Sequence, residues 1–410
     1  MAPTDTDVAD RGFSAVLTDP VAGRLLVSKA ISEIGDFVGL AALLVLAYRE
    51  TGSVIGPAAV FAARTLPAVL VGTVFSNWLD RPPRRGALVV LAFTGAVLVA
   101  AVAVHPTVVV ALAIAALLGA HRTAAVSVSS GAVVDGIAPE RRGAFFALST
   151  TINQSAQAVG FLIGAAATVA IGARASLMFD AATFVAAGAV LVRMPTISTS
   201  RRDRRPGPIE GLRTIFSEPT LRVLAPIVWV AMLGMALPET VAPRIGHGVL
   251  LPLLMAAAPF GAMVAALTFG RGNALRDISR QLHLVLLLGI GFGFGAIVLA
   301  SGGSPWLLVA VNGAVGVASV WVVGARTTFA DRTPAGRMAQ VEATMVASIV
   351  VTEGLGVLGL GWLATTAGPW AGYAVVAVCT IGATAPKLWP LRRPAVSRSG
   401  APAGVASSAS

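Results

Sequence analysis

Long apolar segments recur along the chain from residue 22 to residue 388, and they constrain its fold more than any other feature. A helix needs about 20 mostly apolar residues to cross the ~30 Å hydrocarbon core of a bilayer. A window of that length predicts twelve spans, which are residues 22–48, 54–78, 87–104, 107–134, 144–171, 174–192, 221–242, 248–270, 281–300, 305–329, 339–366 and 369–388. The sequence therefore predicts an all-α protein that crosses a membrane many times.

Composition excludes the soluble alternatives. Only 12% of the 410 residues are charged and 56% are apolar, whereas soluble domains carry about 25% charged residues. A water-soluble protein of this length would lack the polar surface needed to cover its core. An ordinary soluble enzyme is excluded on this ground, and the high apolar content excludes a disordered chain.

The formal net charge of +11 has a regular distribution along the chain. Lys and Arg cluster in every second link between the spans and in the C-terminal tail, whereas the other links contain only Arg49, Arg174 and Arg244. Cytoplasmic loops of membrane proteins carry an excess of Lys and Arg. We therefore expect both termini in the cytoplasm, and the basic charge indicates orientation rather than nucleic-acid binding.

The longest polar link lies near the midpoint of the chain and separates six spans from six. The predicted domains are a cytoplasmic N-terminal tail 1–21, a six-helix bundle 22–193, a cytoplasmic linker 194–220, a second six-helix bundle 221–388 and a disordered tail 389–410. Residues Asp135, Pro139 and Arg142 before the fifth span have counterparts before the eleventh, namely Asp331, Pro334 and Arg337. This repetition indicates two parallel repeats related by an axis along the membrane normal.

Two acidic residues interrupt the first span. Glu33 and Asp36 are three positions apart, so they lie on neighbouring faces of one helical turn. Two carboxylates held close in a low dielectric repel each other, so one of them is expected to bind a proton, as a proton carrier requires. In the alternative interpretation Asp36 caps a kink or pairs with a basic neighbour such as Arg64, and Glu33 faces a watery vestibule.

Basic residues also occur at membrane depth, and each needs a partner there. Arg64 lies in the second span and Arg122 in the fourth, so each is predicted to pair with a carboxylate or to line a wet cavity. For Arg122 a coupling role and a purely structural ion pair remain open. Its neighbour His121 can titrate near neutral pH, although a hydrogen-bonded packing role is the simpler interpretation.

The remaining charges of the spans are acidic. Glu353 in the eleventh span is the counterpart of Asp36 in the second half and a candidate coupling or substrate residue. Asp180 in the sixth span is predicted to form a helix-to-helix hydrogen bond. Glu239 and Arg244 flank the end of the seventh span, where solvated loop charges are expected.

Motifs of other function classes are missing from the sequence. It contains no G-x-x-x-x-G-K-[ST] phosphate-binding loop, no H-E-x-x-H zinc motif and no G-x-S-x-G nucleophile motif. Cys379 is the single cysteine, and the four histidines lack metal-ligand spacing. We therefore expect no enzymatic activity, no ATP-driven pump, no cofactor and no metal.

The link between the second and third spans reads Ser76-Asn77-Trp78-Leu79-Asp80-Arg81-Pro82-Pro83-Arg84-Arg85. It resembles the signature loop of the major facilitator superfamily, G-x-x-x-D-[RK]-x-G-[RK]-[RK]. Asp80, Arg81, Arg84 and Arg85 match this pattern, whereas Ser76 and Pro83 stand at its two glycines. The resemblance implies two six-helix bundles around a central cavity. It also implies that Asp80 and the nearby arginines form an inner-side gate, which holds one end closed through a charge network with a helix N-terminus.

Further motifs resemble one branch of that superfamily, the twelve-span proton-linked drug and macrolide exporters. The similar segments are Ser32-Glu33-Ile34-Gly35-Asp36, Arg64-Thr65-Leu66-Pro67, Arg122, Pro139-Glu140-Arg141-Arg142-Gly143 and Phe179-Asp180-Ala181-Ala182-Thr183-Phe184. Gly160 and Gly164 match the glycines of the branch's helix-5 motif G-P-x-x-G-G, but Phe161 replaces its proline and Ala165 its last glycine.

The resemblance implies a secondary active transporter with alternating access. We expect it to export a small amphipathic or hydrophobic compound, a drug or a metabolite, by proton antiport, with Asp36, Glu33 and Arg122 changing protonation. The alternatives are an importer or uniporter of a small metabolite, or a transport-inactive membrane scaffold or sensor. The expected location is a bacterial cytoplasmic membrane. The expected partners are the lipid bilayer, protons and the substrate, with no nucleic acid and no second subunit.

Overall fold

The structure is a computed structural model, and it describes residues 14–67, 83–197, 208–269, 277–334 and 337–388. The helices in these ranges, in chain order, are α1 (Ala22–Thr51), α2 (Ile55–Thr65), α3 (Arg84–Val104), α4 (Val108–Gly136), α5 (Pro139–Ile171), α6 (Ala173–Val192), α7 (Pro208–Ser217), α8 (Pro219–Met232), α9 (Leu237–Ile245), α10 (Leu250–Phe269), α11 (Ile278–Ala300), α12 (Pro305–Ala318), α13 (Trp321–Arg332), α14 (Met338–Thr366) and α15 (Pro369–Leu388). No strand occurs in them, so the all-α prediction is confirmed.

Eleven helices or helix pairs of the described residues are long and apolar enough to cross a membrane. They correspond to eleven of the twelve predicted spans. The remaining one, predicted over 54–78, begins as α2, and its second part lies outside the described residues. The outward faces carry large apolar side chains such as Val109, 72% exposed, and Val378, 71% exposed. Lipid tails are the solvent in which such a surface is stable.

Local chemistry fixes the ends of several helices. Gly52 ends α1 in the left-handed region at φ 62°, and its N–H donates to the carbonyl of Tyr48. Pro139 begins α5, where a missing N–H costs nothing, and Gly172 ends it at φ 88°. The carboxylate of Glu218 accepts the N–H of Leu221 at 2.6 Å and so caps α8.

Two of the spans are broken near their middle. The seventh consists of α8 and α9, which are separated by residues 233–236, and the tenth consists of α12 and α13, which meet at Ser319 and Val320. Discontinuous helices expose backbone polar groups inside a bundle, where neighbouring helices can satisfy them. The break in the seventh span therefore brings a helix N-terminus to membrane depth.

Helix packing divides the molecule into two bundles. In the first half, α1 lies between α5 and α6, and α3 packs on α4 and α6. In the second half, α11 packs on α15 and α12, and α10 packs on α12. Contacts between the halves join α5 to α10, α2 to α14, and α9 to both α1 and α2.

Each end of the molecule is identified by residues that the structure describes. We call the end with Arg84, Asp135 and Arg141 the basic end, and the end with Ser53 and Thr365 the closed end. At the closed end the Oγ of Ser53 lies 2.9 Å from the Oγ1 of Thr365, which also accepts the N–H of Ile55 at 3.2 Å. These bonds join α14 to the turn before α2, so they hold the two halves together.

The predicted linker 194–220 contains a helix that the sequence analysis did not identify. This helix, α7, packs against α14, and Ile215 on it is fully buried. Arg337, at the start of α14, donates to the Oγ1 of Thr214 at 3.4 Å. The apolar residues Leu212, Ile215 and Phe216 recur at helical spacing, which explains why this polar segment forms a helix.

Candidate functional site

Two carboxylates of α1 share one arginine of α4. The Nη1 of Arg122 donates to Asp36 Oδ2 at 2.7 Å, and its Nη2 donates to Glu33 Oε2 at 2.8 Å. Glu33 is 5% exposed and Asp36 8%. The planar fork of a guanidinium suits two acceptors at this spacing better than an ammonium does. One arginine therefore balances much of the repulsion that the sequence predicts between these acids.

Each carboxylate has a second cationic partner. The Nη2 of Arg64, on α2, lies 3.1 Å from Asp36 Oδ1. The Nζ of Lys29, one turn earlier on α1, lies 2.7 Å from Glu33 Oε1. The result is a chain of alternating charges in the order Lys29, Glu33, Arg122, Asp36, Arg64, which we call the charge network.

The charge network is open toward one side. The side chain of Arg122 is 32% exposed, whereas those of Arg64 and Asp36 are 10% and 11% exposed. Asn153 of α5 donates to Glu33 Oε2 at 3.2 Å, and the ring of Phe37 lies 5.9 Å from the Arg122 guanidinium carbon. Breaking a buried ion pair by removing one partner costs about 3–5 kcal/mol. Protonation of either acid would therefore break its ion pair with Arg122 and favour a movement of the arginine.

Glycines let the helices of the charge network approach closely. A Cβ on Gly119 of α4 would collide with the backbone carbonyl of Arg64. Gly160 and Gly164 of α5 lie against the backbone of α1 at Ile34 and Val38. The helix-5 glycines predicted from the sequence thus pack on the helix that carries both acids.

A second glycine contact of α1 was not predicted from the sequence. Gly35 and Gly39 form a G-x-x-x-G pattern, and both face the side chain of Asp180 on α6. Asp180 is 2% exposed, and its Oδ1 has no hydrogen-bond partner in the described part of the chain. The expected helix-to-helix bond is therefore not formed by that atom. The G-x-x-x-G spacing is the sequence signal that could have indicated this contact.

His121 has the packing role that its neighbours suggest. Its Nε2 lies 2.6 Å from the carbonyl oxygen of Leu91, and its ring stands edge-on to Phe184 at 5.7 Å between centroids. A ring held by α3 and α6 in this way is a spacer between helices. His121 lies beside Arg122 in sequence but makes no bond to the charge network in the described residues.

At the basic end, Arg84 and Arg85 of the predicted gate lie at the start of α3. The Nε of Arg84 lies 3.0 Å from Asp135 Oδ2, and both side chains are buried. This pair joins α3 to α4, where Gly131 leaves room for the guanidinium, and the gate role of Arg84 stays a prediction. Arg85 lines a groove at the start of α3. Asp80 and Arg81 lie outside the described residues, so their gate role stays a prediction.

The acids Glu353 and Glu239 of the second half form no ion pair with the charge network in the described residues. Glu353 of α14 is half-buried, and the next residue, Gly354, packs against Leu66 of α2. The expectation of a solvated Glu239 is wrong, because the break in the seventh span places it in the first turn of α9, 3% exposed. Arg244 donates to the carbonyl of Ala364 at 2.9 Å.

No group of three His, Cys, Asp or Glu residues in the described ranges could hold a metal ion.

The sequence profile of the Major Facilitator Superfamily matches residues 25–341. The chain belongs to the major facilitator superfamily. Membrane transport is therefore its general function, and members of this superfamily are generally not enzymes.

Solved structures of other superfamily members share the fold. A POT family transporter in complex with a thioalcohol-conjugated peptide has a TM-score of 0.73 at 10% identity, over 90% of this chain and 95% of that chain. Another POT family transporter, solved in complex with 5-aminolevulinic acid, has a TM-score of 0.70 at 12% identity, over 90% and 95% of the chains. The human organic anion transporter MFSD10 has a TM-score of 0.62 at 15% identity, over 88% and 98%. A comparison with curated protein sequences gives no match.

The TM-scores show that the fold is shared, and identities of 10–15% leave the substrate and the direction of transport open. The resemblance to drug and macrolide exporters depends on the motifs alone, and the similar solved structures include peptide transporters. Among those motifs, Glu33, Asp36, Arg64 and Arg122 come together in the charge network.

Proposed function

We propose that this transporter exports a small amphipathic or hydrophobic compound in exchange for protons. The observation that carries the proposal is the charge network, in which Arg122 bonds both Glu33 and Asp36 inside the first half. Charged groups are costly at membrane depth, so a cluster of this kind marks a functional pathway. No cofactor takes part in the proposed cycle.

Protonation of Asp36 is the proposed coupling step. A proton on Asp36 removes the charge that holds Arg122 on one side and Arg64 on the other, and these residues belong to α4 and α2. Because α2 also packs on α14 of the second half, its movement is transmitted to the contact between the halves. The membrane potential supplies about 2.3 kcal/mol per charge per 100 mV, which is enough to bias such a cycle.

The proposed arrangement in the cell follows from the charge distribution. We place the basic end in the bacterial cytoplasm together with both termini, and the closed end outside. The bundles 22–193 and 221–388 would then rock around a central cavity, joined by the linker 194–220. In this arrangement the structure corresponds to a conformation closed on the outside, and the protein acts as a monomer.

Ethidium efflux from a pump-deficient bacterial host tests the proposal. We expect expressing cells to extrude ethidium against its gradient, and a protonophore to stop the extrusion. The Asp36→Asn variant should lose this uphill efflux but keep part of the downhill exchange, because the cavity stays intact. Glu342→Gln removes an exposed acid of α14 and is the matched control, which should behave as wild type.

Three results would contradict the proposal. Full uphill efflux by Asp36→Asn would remove this residue from the coupling. Transport that is insensitive to the protonophore would indicate a uniporter, and proton-dependent accumulation of the probe would indicate an importer. A wider panel of compounds, scored by susceptibility of the host, then identifies the substrate class.

A further inference from the structure

Asp180 is a buried acid that the proposed coupling step does not use. It lies on α6 with 2% of its surface exposed, and its carboxylate fits against the glycines of α1. A Cβ on Gly35 would lie 2.8 Å from Asp180 Oδ1, and one on Gly39 would collide with Oδ2. The two glycines therefore form a notch that fits this side chain and brings it next to Asp36.

In the described residues, no donor reaches one of the two oxygens of this carboxylate. Its Oδ1 is buried without a hydrogen-bond partner in the part of the chain that the structure describes. The Oγ1 of Thr183, which lies one turn further along α6, donates instead to the backbone carbonyl of Asp180 at 2.7 Å. An ionised carboxylate buried without donors costs several kcal/mol, so it neutralises by binding a proton.

The charges around Asp180 leave no cation free for it. Asp36 and Arg64 are the charged groups that act on it electrostatically. Arg64 and Arg122 balance Asp36 and Glu33, while Lys29 is 25% exposed and is screened by solvent. The charge network has three cations and two acids, but each of its cations is bonded to Glu33 or Asp36. An ionised Asp180 would therefore be a buried negative charge with no ion pair in the described residues.

Other helices near Asp180 contribute no further charge at its level. In sequence, α3 has no charged residue after Arg85, and α5 has none after Arg142. On α4, His121 stands against Phe184, one turn further along α6, and its Nε2 is bonded to the carbonyl of Leu91. Arg64 is thus the cation that Asp180 could take as a counter-ion.

We propose that Asp180 is a second proton-binding site, protonated in this conformation, which ionises and becomes the counter-ion of Arg64 when Asp36 takes up a proton. In this exchange Asp36 gains one proton from water and Asp180 releases one to water, so Arg64 leaves Asp36 and pairs with Asp180 while the number of bound protons stays the same. The place of this step in the cycle rests on the proposed coupling at Asp36. The protonation of Asp180 in this conformation is independent of that coupling.

Infrared spectroscopy of the purified full-length protein in detergent tests the exchange without any transport. A protonated carboxyl has a C=O stretching band that the carboxylate lacks, and ¹³C labelling of aspartate separates aspartic from glutamic acid bands. At neutral pH we expect an aspartic acid band in the wild type that disappears in Asp180→Asn. Asparagine has nearly the same shape as aspartate, so this variant should fold, which size-exclusion chromatography checks.

Two further variants separate an exchange from a static buried acid. Asp36→Asn removes the counter-ion of Arg64, so Asp180 should ionise, and the band that Asp180→Asn identifies should disappear in this variant too. Glu33→Gln is the matched control and should keep the band, because Asp36 remains the counter-ion of Arg64 in this variant. An Asp180 band that persists in Asp36→Asn, or that is absent from the wild type, would overturn the proposal even if efflux is proton-coupled.

Discussion

At the scale of single residues, the geometry of Arg122 explains why two acids can share one turn of a membrane helix. Its two terminal nitrogens reach different carboxylates, at 2.7 and 2.8 Å. Charge-assisted bonds of this length are about twice as strong as neutral ones. A lysine carries its three donors on one nitrogen at the end of a flexible chain, so it fixes the positions of two acids less well than the planar fork of an arginine does.

We predict that Arg122→Lys strongly impairs coupled transport while the protein still folds. The loss of one charge-assisted bond costs about 1.5–3 kcal/mol, which corresponds to a rate lower by about ten- to a hundredfold. Initial rates of ethidium efflux, normalised to the amount of protein in the membrane, measure the effect. Arg142→Lys is the control, since its guanidinium donates to the backbone carbonyls of Ile137 and Val134 at the basic end. Equal impairment of both variants would argue against the special role of Arg122.

At the scale of helices, close approach through glycine positions the charged residues. Arg64 reaches Asp36 because α2 lies directly against α4 at Gly119. Small residues at helix interfaces allow such backbone contact in membranes, where the hydrophobic effect does not drive helices together. The number of glycines is evident from the sequence, but the helix that each one contacts is not.

We predict that Gly119→Ala destabilises the protein by about 1–3 kcal/mol, because the added methyl group must push α2 away from α4. Gly359→Ala in α14 is the matched control, since a Cβ there meets nothing within 4 Å. Thermal unfolding in detergent, followed by circular dichroism, should show a lower midpoint for Gly119→Ala only. A midpoint equal to that of the control would mean that the contact of α4 with Arg64 is loose.

At the scale of the whole molecule, the hydropathy pattern alone predicts most of the fold. Lipid requires every span to satisfy its own backbone, so apolar length translates directly into helices. The pattern does not predict where a span breaks, and the break before α9 is the reason that Glu239 is buried rather than solvated. It missed α7 as well, because an amphipathic helix on a polar linker lacks the apolar length of a span.

The candidate site is predictable only in part, for a related physical reason. An ionisable residue at membrane depth is conspicuous, so Glu33, Asp36, Arg64 and Arg122 could be singled out, and the possible pairing of Asp36 with Arg64 could be named. Pairing by Arg122 of two acids requires the relative rotation of α1 and α4, which periodicity does not define. The same holds for Asp180, whose surroundings depend on which face of α1 meets α6. The domain boundaries remain predictions.

The contact between Ser53 and Thr365 allows alternating access to be tested directly. These hydroxyls lie 2.9 Å apart across the two halves, which is close enough for a disulfide between cysteines at the same positions. We predict that Ser53→Cys with Thr365→Cys, in a Cys379→Ser background, forms this disulfide on oxidation and stops ethidium efflux. A reductant should break the disulfide and restore ethidium efflux.

The control pair lies at a contact of similar length within one half. Thr168 and Ser176 join α5 to α6 with 3.1 Å between their hydroxyl oxygens, so a disulfide there leaves the halves free to move. Thr168→Cys with Ser176→Cys should therefore transport equally well when oxidised or reduced. If the oxidised Ser53–Thr365 pair also transported at the full rate, the closed end would not have to open. A rocking motion of the two bundles would then be excluded as the transport mechanism, because a covalent link across that end is incompatible with it.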